Sequence, residues 1–172
     1  TAANPNNSLS SILFVISRDQ FGRLTQAPDA LKDNLATYIN EFRLIADALD
    51  ILDARVVNYR VKVEITTVPN SNKTDVISKV IDAILDISSL EHAQIAGPLN
   101  EADYINSIIN VRGVMSLVSL KFENIFGTIR DRKYSDHAVN LDGMYEKGIF
   151  FPGPGDIFEL RYPNFDVEVT TK

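Results

Sequence analysis

The chain has 172 residues, 45% of them apolar and 23% charged, the make-up of one soluble globular domain with room for two small ones. Its longest unbroken apolar run, Ile12–Ile16, falls far short of the roughly 20 residues that a membrane-spanning helix needs. Twenty-three acids against 17 bases give a net charge of −6, which repels a polyanion on average. With no cysteine, disulfides, thiol catalysis, iron–sulfur clusters and cysteine-bearing zinc sites are excluded.

The opening, Thr1–Ser11, is rich in Asn, Ser and Ala and reads as a tail or linker, with no signal-peptide pattern. Ile12–Arg18 is short, apolar and β-branched, a buried strand, and Asp19–Arg23 with Gly22 is a turn. Pro28 suits a helix start; Leu31, Leu35, Tyr38, Ile39 and Phe42 then recur at spacings of three and four, an amphipathic helix. Ile45–Asp53 fits either a helix extension or a loop. Val56–Val68 alternates Val57, Tyr59, Val61, Val63 and Ile65 with Asn58, Arg60, Lys62, Glu64 and Thr66. A period of two over this length predicts a strand with one buried and one wet face.

Pro69–Asn72 stops that strand. A helix over Lys73–Ile87 follows, with Val76, Ile77, Val80, Ile81, Ile84 and Leu85 as its stripe. His92–Ala96 reads as a short edge strand. Asn100 is an N-cap for a third helix carrying Tyr104, Ile105, Ile108 and Ile109. Val114–Phe122 is a further strand. Gly127–Gly148 is polar, of mixed charge and without period. Pro152-Gly153-Pro154-Gly155 is a turn. Ile157–Tyr162 and Phe165–Val169 alternate as two short strands around Pro163-Asn164. The order predicts an α+β fold. Its sheet is mixed with a split β-α-β arrangement, its helices lie mainly on one face, and a β-rich extension closes the chain. The expected organisation is a linker over 1–11, an α+β domain over 12–123 and the extension over 124–172.

Asn34–Ile65, NLATYINEFRLIADALDILDARVVNYRVKVEI, resembles the C-terminal part of baseplate wedge proteins of contractile-tailed phages, the T-even type in particular. The helix DVISKVIDAILD (Asp75–Asp86), the helix Asp103–Asn110, the turn Val111-Arg112-Gly113-Val114 and the strand Met115–Phe122 follow in an order that resembles the baseplate-J family. The closing GIFFPGPGDIFELRYPNFDVEV also looks like the end of a wedge subunit. The resemblance covers about Ser11 to the C-terminus and rests on the order of several weak motifs. It implies a structural virion protein, made in the host cytoplasm and built into the tail baseplate. Such a protein joins wedges into a ring by pairing with itself and with other wedge proteins.

Little in the residues points to chemistry. His92 and His137 stand in no metal-binding frame. Asp131, Asp136 and Asp142 near His137 could gather round a cation, but the EF-hand spacing is absent and a solvated loop is the plainer reading. Asp156 and Glu159 flank the Pro-Gly turn and could face a cleft, but carboxylates on helix faces or the wet side of strands are the plainer reading. There is no nucleophile elbow, and Pro154 removes a donor that a phosphate loop would use. Arg130, Arg132 and Lys133 form the densest basic cluster, diluted by Asp131 and Asp136. No catalytic residue, cofactor, metal, nucleic acid, membrane or small-molecule substrate is therefore expected. The interface is expected in the aromatics Phe150, Phe151, Phe158, Tyr162 and Phe165 with the 127–148 loop, as a two-fold homodimer patch; core padding is the competing reading of those rings. A small-molecule-binding or hydrolytic α+β domain is the alternative function.

Overall fold

The computed structural model describes residues 2–4, 7–41, 48–91 and 93–172. Its organising element is the predicted alternating strand. The protein opens with β1 (Ala2–Asn4) and β2 (Asn7–Val15), an antiparallel pair, so the Asn- and Ser-rich opening is strand and not tail. The short strands β3 (Ser17–Arg18) and β4 (Leu24–Thr25) form a hairpin. Helix α1 (Asp29–Glu41) then leads back to β5 (Ala48–Asp53), which runs parallel to β2. Phe42, assigned above to the stripe of α1, lies outside the described residues; 48–53 of the ambiguous stretch is strand. The β-α-β unit at this end has its strands side by side and not split around a third.

Only Ala54 separates β5 from β6 (Arg55–Thr67), so nearly one strand serves two sheets. Helix α2 (Lys73–Ile87), strand β7 (Leu99–Asn100) and helix α3 (Glu101–Ile109) connect β6 to β8 (Val114–Asn124), which returns antiparallel beside it. Asn72 caps α2 by accepting from the N–H groups of Thr74 and Asp75, and Asn100 caps α3 by accepting from Ala102 (3.1 Å). The edge strand expected at 92–96 does not form. His92 lies outside the described residues, and 95–96 is a turn whose Ala96 N–H donates to the Asp156 carbonyl (2.7 Å).

The 127–148 stretch is more ordered than its lack of period suggested. It holds the hairpin β9 (Thr128–Ile129) and β10 (Arg132–Lys133), the short helix α4 (Leu141–Met144) and β11 (Tyr145–Glu146). The last pairs with β12 (Ile149–Phe150), which in turn pairs with β7. Arg130 and Asp131 both have positive φ (46° and 63°), the two-residue turn that a tight hairpin needs.

Strand β13 (Asp156–Glu159) runs parallel to Arg55–Asn58. A turn of helix, α5 (Pro163–Asp166), re-enters as β14 (Val167–Thr171), parallel to Val61–Ile65. Phe165 therefore belongs to a helix and not to the strand expected there. The result is an α+β fold with a mixed sheet.

The odd positions of β6 carry the main core. Val57, Tyr59, Val61, Val63 and Ile65 pack with Val76, Val80, Ile84, Tyr104 and Ile108, so α2 and α3 share one face of the sheet. The even positions are wet only along the second half of β6. There Arg60 pairs with Glu168 (3.3 Å), Lys62 with Glu123 (2.8 Å) and Lys172 with Glu64 (3.5 Å). At the first half both faces are covered: Val56 joins a second cluster with Leu24, Ala54 and Ile157, and Asn58 is fully buried.

Gly155 fixes the junction between the amino-terminal unit and β13. Its φ is +82°, its carbonyl accepts the Arg55 N–H (2.8 Å), and a Cβ there would run into the Phe14 ring. Gly155→Ala is expected to lower stability by about 2–4 kcal/mol, from left-handed strain and overpacking together; urea unfolding measures it.

Candidate functional site

Three carboxylates of the closing segment are removed from water: Asp156 (2% exposed), Glu159 (1%) and Asp166 (0%). A buried carboxylate is costly unless donors meet it, and each of these has them. Asp156 Oδ1 faces Arg55 Nε (2.7 Å) and His137 Nε2 (3.3 Å), and its Oδ2 accepts the Gly153 N–H (3.2 Å). Glu159 accepts from Leu24 N–H (2.7 Å), Asn58 Nδ2 (2.8 Å) and Arg161 Nη1 (3.0 Å). Arg161 also donates to the Leu24 carbonyl (3.1 Å), so one ion pair grips both polar groups of that backbone unit. Asn58 Oδ1 accepts the Ser135 N–H (2.7 Å). Asp166 accepts from the Tyr134 hydroxyl (2.7 Å) and the Tyr162 N–H (2.9 Å).

Beside this network lies a cavity of about 470 Å³ whose lining includes Asp53, Arg55, Lys133, Ser135, His137 and Arg161. Asp53 is held by Lys32 (2.9 Å). The Ser135 hydroxyl accepts the backbone N–H of His137 (3.1 Å) while the imidazole turns to Asp156, so hydroxyl and ring form no nucleophilic relay. Among the described residues no three His, Asp or Glu side chains converge as metal ligands, and His137 meets Asp156 rather than Asp131, Asp136 or Asp142. A second cavity, about 350 Å³, opens above a hydroxyl chain in which Tyr104 meets Tyr59 (2.8 Å) and Ser88 (3.0 Å). Burial raises both phenols above their ordinary value.

The expected aromatic patch divides. Phe150 and Phe158 are buried in the main core, Phe150 against Phe122 (5.1 Å) and Phe158 edge-on to Tyr59 (6.1 Å); for these two, core padding replaces the interface reading. Phe151 and Phe165 are half exposed and Tyr162 partly so. Asp156 and Glu159, whose plainer reading is as surface acids, lie buried beneath the cavity. Asn58, Tyr134 and Asp166 were not singled out by sequence. Nothing in a period-two strand distinguishes an Asn on a wet face from one under a loop. No family model matches the chain, and no curated protein matches it.

Asp166 titrates abnormally. Burial holds its carboxyl above the usual range, while the Tyr134 and Tyr162 donors and the charges of Arg60 and Arg132 pull it back. Burial, then the Asp166 carboxylate, push the Tyr134 phenol up to about 12. A raised carboxyl binds its proton more tightly folded than unfolded, so Asp166 favours folding least above its folded pKa and more as pH falls through it. Tyr134→Phe removes a donor from the charged form and raises the carboxyl further. Its cost, about 1–3 kcal/mol at neutral pH, is expected to shrink as pH falls toward the ordinary carboxylate value. Denaturant midpoints across pH measure it.

Proposed function

We propose that this chain is a non-enzymatic structural subunit of a phage tail baseplate, joining wedges into a ring through self-association and contacts with other wedge proteins. One observation carries the reading: α1 buries none of its residues, and Leu31 and Tyr38 stand largely exposed on a helix with an apolar stripe. A short helix is marginal on propensity alone and draws its stability from a covered face, so a neighbour that covers α1 fits an assembly module. The chain order of α2, α3, the turn at Gly113 and β8 agrees with the order on which the resemblance rests. The work is mechanical: no bond is made or broken, and the residues that matter form faces.

A small-molecule-binding or hydrolytic domain is the second reading, favoured by the cavity beside His137 and Asp156. Turnover of an ester or amide that is lost in His137→Ala decides for it.

On the assembly reading, light scattering at high micromolar concentration gives a mass near twice the 19.2 kDa of the chain, and the protein co-elutes with purified wedge subunits of the same tail. Leu31→Asp weakens association by about tenfold or more, as expected where an apolar anchor becomes a charge, with unchanged circular dichroism. A strict monomer that elutes apart from every wedge subunit ends the reading.

A further inference from the structure

The β9–β10 hairpin and the segment from Arg161 to Phe165 build a surface in which arginines lie on rings. The Arg132 guanidinium carbon sits 3.3 Å from the Phe165 ring centroid. That of Arg23 stands 4.5 Å from the Tyr162 ring and 5.2 Å from Phe21. The two stacks are joined. The Phe165 N–H donates to the Tyr162 carbonyl (2.8 Å), the Tyr162 hydroxyl donates to the Lys133 carbonyl (3.1 Å), and Tyr134 meets Tyr162 edge-on at 5.1 Å. Stacking holds a guanidinium plane in place at little further entropy cost and leaves its N–H edges for planar acceptors.

Among the described residues no carboxylate lies within 4.0 Å of Arg23, Arg130, Arg132 or Lys133. The nearby Asp19 carboxylate is taken by the N–H groups of Phe21 (2.8 Å) and Arg23 (2.9 Å). The hairpin itself carries Arg130, Arg132 and Lys133 against Asp131 alone. In a chain of net charge −6 this is a local reversal of sign. It sits on a backbone fixed by the buried Asp166 and Glu159.

We propose that this surface docks an acidic segment of another protein chain, with carboxylates on the N–H edges of Arg23 and Arg132 and with Arg130 and Lys133 beside them. The idea rests on the assembly reading for taking the neighbour to be a protein, and it narrows that reading. A two-fold axis would bring this patch against its own copy and set like charges face to face, so the homodimer contact belongs elsewhere. A nucleic acid fits less well, because the acidic remainder of the molecule repels a long polyanion.

The test is fluorescence anisotropy at low ionic strength with labelled deca-glutamate and with an oligothymidylate of the same length. The full chain is compared with Arg23→Ala/Arg132→Ala and with Lys73→Ala/Lys147→Ala, exposed cations on other elements. The expected result is saturable, salt-sensitive binding of deca-glutamate that weakens about tenfold in the arginine pair, as loss of charge-assisted planar contacts requires. It holds within about twofold in the lysine pair, whose cations lie off the patch. The light-scattering mass of the arginine pair stays that of wild type. No binding, an equal loss in both pairs, oligothymidylate binding as tight as the peptide's, or a fall to monomer mass in the arginine pair each overturns the proposal. Failure of the assembly reading shows separately, as lack of co-elution with wedge subunits.

Discussion

Burying three carboxylates within one short closing segment is the constraint on which the rest of the structure turns. Asp156, Glu159 and Asp166 are all lost to water; Gly153, Arg161 and Tyr162 of the segment itself supply some of the donors that meet them, and the rest come from the surface they must cover. Asn58 and Arg55 come from β6, Tyr134 and His137 from the stretch after β10, and Leu24 from the amino-terminal unit. A half-satisfied set would be worse than an apolar one, so the segment has little freedom in how it lies. It follows β6, leaves it at Leu160 and returns at Val167. The amino-terminal hairpin is held because Leu24 is gripped on both its N–H and its carbonyl. The network thus acts as specification more than as net stabilisation.

What the sequence made legible and what it hid divide along one physical line. Elements whose pattern comes from a single neighbouring layer were readable: β6 alternates because α2 and α3 cover one face, and the caps Asn72 and Asn100 act within one turn. Elements defined by distant partners were not. Asn58 and Glu159 sit at polar positions of alternating strands and so read as wet, yet each is covered by a segment far along the chain. The 127–148 stretch has no period because its elements are too short to show one. The rings of the closing segment carry no mark of which way they face: Phe150 and Phe158 turned inward, while Phe151 and Phe165 did not. The candidate site was therefore not legible: Asp156 and Glu159 read as surface carboxylates and His137 as part of a solvated loop, and no local pattern joined them.

The long sheet face makes a poor gripping surface on energetic grounds. Its ion pairs join Arg60, Lys62 and Glu64 to flanking strands in the open, and exposed pairs contribute little each and less in salt. They do keep the face polar and hydrated. Strand β8 defends its outer edge differently. The register with β6 shifts twice, at Val118 and at Met115, which are the apolar residues that β8 exposes. Bulges twist a strand away from the flat geometry that invites edge pairing. An edge so broken is poorly suited to adding a foreign strand.

Two surfaces of opposite character remain. The stripe of α1 is uncharged along Leu31, Leu35 and Ile39, so on the assembly reading it is the face that meets its own copy. The arginine–ring surface cannot do so, since its exposed groups repel themselves. A closed ring built from one kind of subunit needs either a head-to-tail contact or an alternation of self-pairing and foreign contacts. On the assembly reading proposed above, one self-pairing face and one face demanding the opposite charge are the minimum equipment for alternation. The strand β5, paired with β2, runs on through Ala54 into β6, and the arginine stack stands on the segment that β6 holds.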